Sequence, residues 1–288
     1  MSDANAQSLP VLLPVRPPAP TPWGPVSGLP RSVFSPATAA LVVTAMLLGC
    51  LSAEAQAAAA GRPGALAILA KWFPLIMSGF LVNLGVSILS MALGTAAGFL
   101  LGLGQISLLP AVRRLSWVAT QFFRNAPWLV LLFYAMLILP FEIRVLGVTV
   151  PLPAWIKAVI GLALPVMANV AEIVRGGIQS IPQAQWESAE ALAFDRRQTL
   201  WMIIIPQAVK RMIPPWMNLY AILTMATTLV SVVGLQDGLT LTRAAVVAEG
   251  RSELLIPLYL MLLALFFAYC YPIARWTQSL ERRFAVKG

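Results

Sequence analysis

Six long apolar segments dominate the sequence and constrain its fold more than any other feature. Only 11% of the residues are charged, whereas soluble domains average about a quarter. A helix needs roughly 20 apolar residues to cross the hydrocarbon of a bilayer, and each segment approaches or exceeds that length. The pattern predicts an all-α, polytopic membrane protein with one spanning helix per segment. The segments lie near residues 37–53, 75–104, 116–140, 153–176, 216–236 and 254–274.

The basic residues indicate how these helices are oriented. The formal net charge is +9, but the Lys and Arg residues are scattered between apolar runs and form no single stripe, which argues against a nucleic-acid partner. With the N-terminus in the cytoplasm, most of the 20 basic residues fall in cytoplasmic segments. This distribution follows the positive-inside bias of membrane proteins. We therefore expect a multi-pass protein with a cytoplasmic N-terminus.

The composition also excludes several kinds of chemistry. The sequence contains no histidine, which removes Ser-His-Asp catalysis and every histidine metal site. Its two cysteines, Cys50 and Cys270, lie in separate apolar segments and are interpreted as packing residues. No Gly-x-x-x-x-Gly-Lys run is present to cradle a phosphate. We predict no catalytic residue, no metal ligand and no enzymatic activity on this chain.

The N-terminal region divides into two predicted parts. Residues 1–36 are dense in proline and cannot bury enough apolar surface to fold, so we predict a disordered cytoplasmic tail. Residues 37–60 are predicted to form an extra N-terminal transmembrane helix. Arg31, the apolar run after it and the small residues beyond also imitate a signal peptide. A retained helix is favoured because about 30 residues precede this segment.

Between the fourth and fifth predicted helices lies a polar stretch, residues 177–215, that is too polar to span a membrane. Good helix formers follow Pro182, a residue suited to the start of a helix. A second helix is predicted from Arg196 until Pro206 perturbs it, with Asp195 as its N-cap. The stretch is therefore predicted to be a short helical hairpin.

The residues of this hairpin combine an acidic, small-residue helix with a later apolar-proline pair. They are Glu187, Ser188, Ala189, Glu190, Ala191, Leu192 and Ala193, then Gln198 and Thr199, then Ile205, Pro206, Gln207 and Ala208. The hairpin resembles the EAA loop of ABC importer permeases, here at residues 183–208.

This resemblance implies a role for the hairpin. In that family the loop is a coupling helix that docks in a cleft of a separate cytoplasmic ATPase, which holds the ATP and Mg, so no cofactor is implied on this chain. The residues implied in ATPase coupling are Glu187, Ser188, Ala189, Leu192, Ala193 and Pro206. Two of them depart from the family pattern, because Ser188 replaces an alanine and Ala193 replaces a glycine. An alanine in a left-handed turn would cost roughly 1 kcal/mol.

Further segments narrow the resemblance to the permeases of polar amino-acid uptake. One resembles that family's Arg-(Asn/Gly)-x-Pro segment, and the other resembles the stretch before its EAA loop. They contain Phe123, Arg124, Asn125, Ala126, Pro127 and Leu129, and Ala171, Glu172, Ile173, Arg175, Gly176, Gly177, Ile178, Ile181, Pro182 and Gln185. The resemblance extends from about residue 78 to residue 284. In the fifth helix, residues 225–229 depart from it, lacking the lysine that relatives commonly carry.

The resemblance implies a fold, a location and a set of partners. The fold is the five-helix core of a type I ABC importer permease at residues 75–284, with the N-terminal helix as an addition. The location is the bacterial inner (cytoplasmic) membrane. The partners are a cytoplasmic ABC ATPase dimer, a second permease subunit, identical or sister, and a periplasmic solute-binding protein.

Polar residues within the apolar segments are candidates for the substrate path. Ionisable groups in a membrane usually face a cavity or a partner, so Glu172 and Arg175 either pair with each other or lie on the path, with Asn169 on the same face. A hydroxyl stripe along the fifth helix either packs against neighbouring helices or lines an aqueous cavity. The stripe comprises Thr224, Thr227, Thr228 and Ser231. Asp237 is expected to end this helix at the outer face, where a delivering protein could contact it.

Together these features predict a permease subunit of an ATP-driven importer for amino acids or similar polar solutes, working by alternating access. The alternative is an ion-coupled secondary transporter of small solutes. That class needs ion-coordinating or protonatable groups at mid-membrane, and the sequence offers few of them.

Overall fold

A computed structural model of the chain describes Gly61, residues 63–145 and residues 148–284, with isolated positions from 44 to 55. The chain divides into two units, Met1–Leu48 and Gly49–Gly288, and every element named below belongs to the second. The predicted tail, residues 1–36, lies outside the described residues. The predicted extra helix, residues 37–60, lies mostly outside them, and its described positions between 44 and 55 are helical. Both assignments stay predictions.

The first long helix, α1, runs from Ala65 to Gln105 over 41 residues. It begins ten residues before the apolar segment predicted at 75–104, and it continues through Pro74. At 1.5 Å per residue, its length is about 60 Å, twice the hydrocarbon thickness of a bilayer. The helix is therefore longer than one crossing of a bilayer requires.

The third predicted span, residues 116–140, is not one helix. It consists of α2, Pro110–Asn125, and α3, Trp128–Ile138, which meet at an angle of 106°. Pro127 has no N–H to donate and forces the preceding residue out of the helical region, so Ala126 adopts an extended ψ of 138°. The proline thus explains the break that hydrophobicity alone concealed.

A small β-hairpin follows α3, an addition to the predicted helical class. Strand β1, Glu142–Val145, pairs antiparallel with β2, Val148–Pro151.

The next helix, α4, runs from Ala154 to Gln179 and agrees closely with the segment predicted at 153–176. It is the most buried of the candidate spans. It packs against α1, α2, α3 and the later helix Ile205–Ala226.

The predicted hairpin is present, but its second arm does not end at Pro206. The first arm is α5, Gln183–Ala191. The second arm is one continuous helical rod from Arg196 to Val233, and Pro206 lies within it, directly after a π-helical segment that ends at Ile204. The rod comprises α6 (Arg196–Gln198), a π-helical segment (Thr199–Ile204), α7 (Ile205–Ala226) and a 3₁₀ segment (Thr227–Val233).

Two helices complete the fold. Helix α8, Gly238–Glu249, packs against α1, and after a short 3₁₀ turn helix α9 runs from Leu255 to Phe284. Among the described residues, four helices are long and apolar enough to cross a membrane, or five if the bent pair α2–α3 counts as one span. This agrees with the predicted five-helix core.

Helices α1 and α4 form the most extensive interface between any two described elements, and a stripe of glycines lies along it. Gly94, Gly98 and Gly102 recur every four residues on α1 and lie against Val166, Val170 and Val174 on α4. A Cβ atom on Gly98 would lie 2.5 Å from the carbonyl oxygen of Met167. Small residues at this spacing let two membrane helices approach closely, and sequence reasoning had not singled out this stripe.

Candidate functional site

An open cavity of about 500 Å³ lies between α2, α4 and α7. Most of its polar lining comes from one face of α4 and from the facing turns of α7. The lining residues include Arg124, Asn169, Glu172, Ser180, Arg211 and Asn218. A concave site of this size with a few convergent polar groups is typical of small-molecule binding.

Glu172 is the acidic centre of this cavity. Its carboxylate oxygen Oε2 accepts from Nη2 of Arg175 at 2.6 Å, one turn further along α4, and lies 3.7 Å from Nη1 of Arg124 at the end of α2. The other oxygen, Oε1, is buried and has no hydrogen-bond partner within the described part of the chain. Glu172 therefore pairs with Arg175, one of the two predicted arrangements, and it forms part of the cavity wall.

Three further polar residues line the same cavity. Asn169 lies one turn deeper on α4 and donates from Nδ2 to the carbonyl of Pro165 at 2.8 Å, so its oxygen remains an acceptor. Arg211 of α7 donates to the carbonyl of Ser180 at the end of α4. Asn218 lies two turns along α7 from Arg211 and is exposed to the cavity. Sequence reasoning missed Arg211 and Asn218, although an amide within an apolar span was a usable signal.

The hydroxyl stripe predicted for the substrate path does not reach this cavity. The hydroxyls of Thr224, Thr227, Thr228 and Ser231 each donate to a carbonyl of their own helix, three or four residues back. The helix changes to 3₁₀ geometry at Thr227, so a spacing based on 3.6 residues per turn no longer places them on one face. The structure favours the packing interpretation of the stripe.

The polar hairpin forms a second site at the end of the bundle. Asp195 accepts from the backbone N–H of Gln198 at 2.7 Å, and the Gln198 side chain accepts from the N–H of Asp195 at 2.9 Å. This reciprocal capping box confirms the predicted N-cap. It begins the second arm of the hairpin at a defined position.

The turn between the two arms has the geometry that favours glycine, although it contains Ala193. This alanine has φ of +58°, the left-handed conformation. The N–H of Phe194 donates to the carbonyl of Ala189 at 3.1 Å, and the N–H of Ala193 donates to that of Glu190 at 2.9 Å. These two bonds define a Schellman motif. The turn therefore has the conformation expected with glycine, and the Cβ of Ala193 destabilises it.

Burial separates the predicted coupling residues into two groups. Glu187, Ser188 and Ala193 are exposed, and Leu192 leaves 71% of its surface uncovered, a large value for an apolar side chain. Ala189 has 1% exposure and packs inside the hairpin. The side chain of Ala189 is therefore covered by this chain itself, and its part in ATPase coupling stays a prediction.

Two arginines connect this hairpin to the membrane helices. Arg211 reaches the carbonyl of Ser180 at the start of the first arm, and Nη2 of Arg196 donates to the carbonyl of Ile106 at 3.2 Å, just after α1. Arg211 also lines the cavity. The base of the hairpin and the wall of the cavity are thus parts of one connected structure.

Far from the hairpin, a buried polar cluster joins α1 to the start of α8. Asn83 and Asp237 are both fully buried. The amide of Asn83 donates to the carboxylate of Asp237 and accepts from the N–H of Gly238 at 2.9 Å. Asp237 also caps α8 through the N–H of Thr240. The predicted exposure of Asp237 to a delivering protein is wrong, because its carboxylate is buried and accepts hydrogen bonds from Asn83 and Thr240.

Comparison with known proteins gives one consistent family. Residues 94–286 match the family described as the binding-protein-dependent transport system inner membrane component. The chain is 32% identical to the inner membrane amino-acid ABC transporter permease protein YhdY of Escherichia coli, covering 72% of this chain and 55% of that protein. It is also 32% identical to the probable amino-acid ABC transporter permease protein y4tF of Sinorhizobium fredii, covering 70% and 84%.

A solved structure supports the same conclusion about the fold. The crystal structure of an amino acid ABC transporter with histidines aligns with a TM-score of 0.64 at 26% identity, covering 75% of this chain and 96% of that chain.

Proposed function

Because the chain belongs to the family of binding-protein-dependent transport system inner membrane components, we propose that it is the permease of an ATP-driven importer for amino acids or similar polar solutes. It is a multi-pass protein of the inner membrane. Its partners in this proposal are a cytoplasmic ABC ATPase dimer, a second permease subunit and a periplasmic solute-binding protein. ATP and Mg are held by the ATPase, and this chain hydrolyses nothing.

The observation that carries the proposal is the continuity of the rod from Arg196 to Val233. One end of the rod is an arm of the hairpin, and its middle contributes Arg211 and Asn218 to the cavity. An exposed leucine and carboxylate on a short helix suit docking in a partner's cleft. Movement of the docked hairpin would then displace the cavity wall as a rigid body, which couples ATPase closure to alternating access.

The cavity suits a zwitterionic solute. The carboxylate of Glu172, which is part of the cavity lining, is an acceptor for an ammonium group, and the guanidinium groups of Arg124 and Arg211 can bind a carboxylate in the bidentate manner that arginine favours. The oxygen of Asn169 and the amide of Asn218 provide neutral hydrogen bonds beside them. An ion-coupled carrier is less well supported, because the relatives named above are ABC permeases.

The test is uptake in vesicles containing the purified complex, with ATP inside and ion gradients collapsed. Glu187→Lys and Leu192→Asp change the exposed face of the hairpin and should abolish ATP-dependent uptake and weaken ATPase retention. Glu281→Lys makes the same charge change at an exposed position of α9 and should leave both unchanged. Uptake that continues without a bound ATPase would refute the proposal.

A further inference from the structure

Lys157 is a buried cation that the proposed transport cycle does not use. It lies in the first turns of α4 and has 1% of its surface exposed. Its Nζ donates to the carbonyl of Leu139 at 2.8 Å and lies 3.7 Å from the centre of the Phe141 ring. Lysine is rarely buried without a charged partner, and a charge within a membrane protein is costly unless it is compensated.

The local contacts compensate this charge only in part. Leu139 is the C-cap of α3, so the bond to its carbonyl satisfies a helix end, and the ring adds a cation–π attraction. An ammonium group has three donors, and the carbonyl takes one. Within the part of the chain that the structure describes, no carboxylate forms an ion pair with Lys157.

Beside this ammonium lies an apolar cavity of about 600 Å³. It is formed by the end of α3, the start of α4 and the end of the 3₁₀ segment, at the end of α4 opposite the hairpin. Its rim is open, because Leu137 and Phe141 leave 82% and 81% of their surfaces exposed. Apart from Lys157, its side chains are apolar, among them Phe133, Met136, Leu152 and Val233.

We propose that this cavity binds an oxyanion carried on an apolar body. The carboxylate or phosphate would pair with the unused donors of Lys157, and the apolar body would fill the cavity. Such a ligand compensates the buried charge and covers the exposed apolar rim in one event. Two sources carry this chemistry, an anionic lipid of the adjacent leaflet and an apolar amino acid in transit, and only the second rests on the proposed function.

The experiment is photolabelling of the complete complex in phosphatidylcholine nanodiscs. The probes are a decanoate carrying a diazirine and the matched decanol, and labelled peptides are mapped by mass spectrometry. We expect the decanoate to label residues 133–141 and 152–157 in preference to the alcohol. No ATPase activity or transport is needed, so failure here is separate from failure of the proposed function.

Variants identify the role of the ammonium. Lys157→Met should reduce decanoate labelling about tenfold, the loss expected for one charge-assisted hydrogen bond, and Lys157→Arg should retain it. Val233→Phe fills the cavity while keeping the cation and should also reduce labelling. Lys210→Met removes an exposed lysine on α7 and should have no effect.

Competition then identifies the source. Loss of labelling in phosphatidylglycerol nanodiscs assigns the site to lipid, and loss with excess L-leucine assigns it to solute. Equal labelling by decanoate and decanol, or labelling unchanged in Lys157→Met, would overturn the proposal.

Discussion

Asn83 and Asp237 lie 154 residues apart in the chain, yet Nδ2 of Asn83 donates to Oδ2 of Asp237 at 3.2 Å in the interior. The same amide nitrogen also lies 3.2 Å from the carbonyl oxygen and from the hydroxyl of Thr227. One asparagine on α1 therefore holds the end of the Arg196–Val233 rod and the start of α8 together.

The first prediction concerns this asparagine. Asn83→Leu removes a hydrogen bond to a buried carboxylate and should destabilise the protein by about 2 kcal/mol. The thermal unfolding midpoint of the purified complex measures the effect. Asn218→Leu is the matched control, because Asn218 is exposed to the cavity and its loss should leave the midpoint unchanged. Equal midpoints for the two variants would contradict the role of Asn83.

The second prediction concerns the acidic centre of the cavity. Glu172→Gln removes the carboxylate that opposes Arg124 and Arg175, and with it the proposed ammonium acceptor. Uptake should fall about tenfold or more, as expected when a charge-assisted interaction is lost, while the ATPase remains bound. The control is Glu281→Gln on the exposed end of α9, which should transport normally. Full uptake by Glu172→Gln would remove this residue from the path.

The third prediction concerns the left-handed turn of the hairpin. Ala193→Gly removes the Cβ at φ of +58° and should stabilise the hairpin by about 1 kcal/mol. Hydrogen exchange of the amides of residues 189–195 should slow accordingly. Ala191→Gly, in the last turn of α5, should have the opposite effect of up to about 1 kcal/mol because glycine weakens a helix interior. Faster exchange in Ala193→Gly would show that the turn does not carry this cost.

The fourth prediction compares two glycines of α1. Gly98→Ala places a methyl group against the carbonyl of Met167 and the side chain of Val170 and should cost about 1–3 kcal/mol through overpacking. Gly85→Ala adds a methyl group where nothing lies within 4 Å, so it should be neutral or slightly stabilising. Thermal unfolding of the two variants provides the comparison. Equal unfolding midpoints for the two variants would show that the interface of α1 and α4 has room for a methyl group at Gly98.

The fifth prediction concerns the ion pair at the end of α8. Nζ of Lys71 and Nε1 of Trp72 each lie 2.7 Å from Oε1 of Glu249, and the hydrogen bond from Lys71, followed by that from Trp72, lowers the pKa of Glu249 below its usual value. A lowered carboxyl pKa contributes stability above the unfolded-state pKa, which is lost as pH falls through the folded value.

The difference in unfolding midpoint between the natural protein and Glu249→Gln should therefore be constant above about pH 5 and shrink at lower pH, since an unperturbed glutamate has a pKa of about 4.3. The effect should be small because Lys71 is 61% exposed. Scanning fluorimetry across this range measures it. A difference that grows as pH falls would contradict the assignment.

Local features of the fold could be predicted because they depend on neighbouring residues. The apolar segments predicted the place of the spanning helices from residue 75 onward, although the third of the six is the bent pair α2–α3, and Asp195 predicted the start of the second hairpin arm. Glu172 and Arg175 were predicted as neighbours because their spacing places them one turn apart on α4. In each case the interacting groups lie within a few residues of each other.

What the sequence could not decide depends on contacts between distant segments and on backbone geometry. Thr224 and Thr228 were expected on one face, but the helix tightens at Thr227 and turns them apart. Pro127 was visible, yet the angle of 106° between α2 and α3 depends on how each of these helices packs against α4. Asn83 meets Asp237 where Gly79, one turn earlier on α1, lets the backbone of Asp237 and Gly238 approach closely. Apolar length determines which segments cross a membrane, whereas complementary packing between helices determines which polar groups meet inside it.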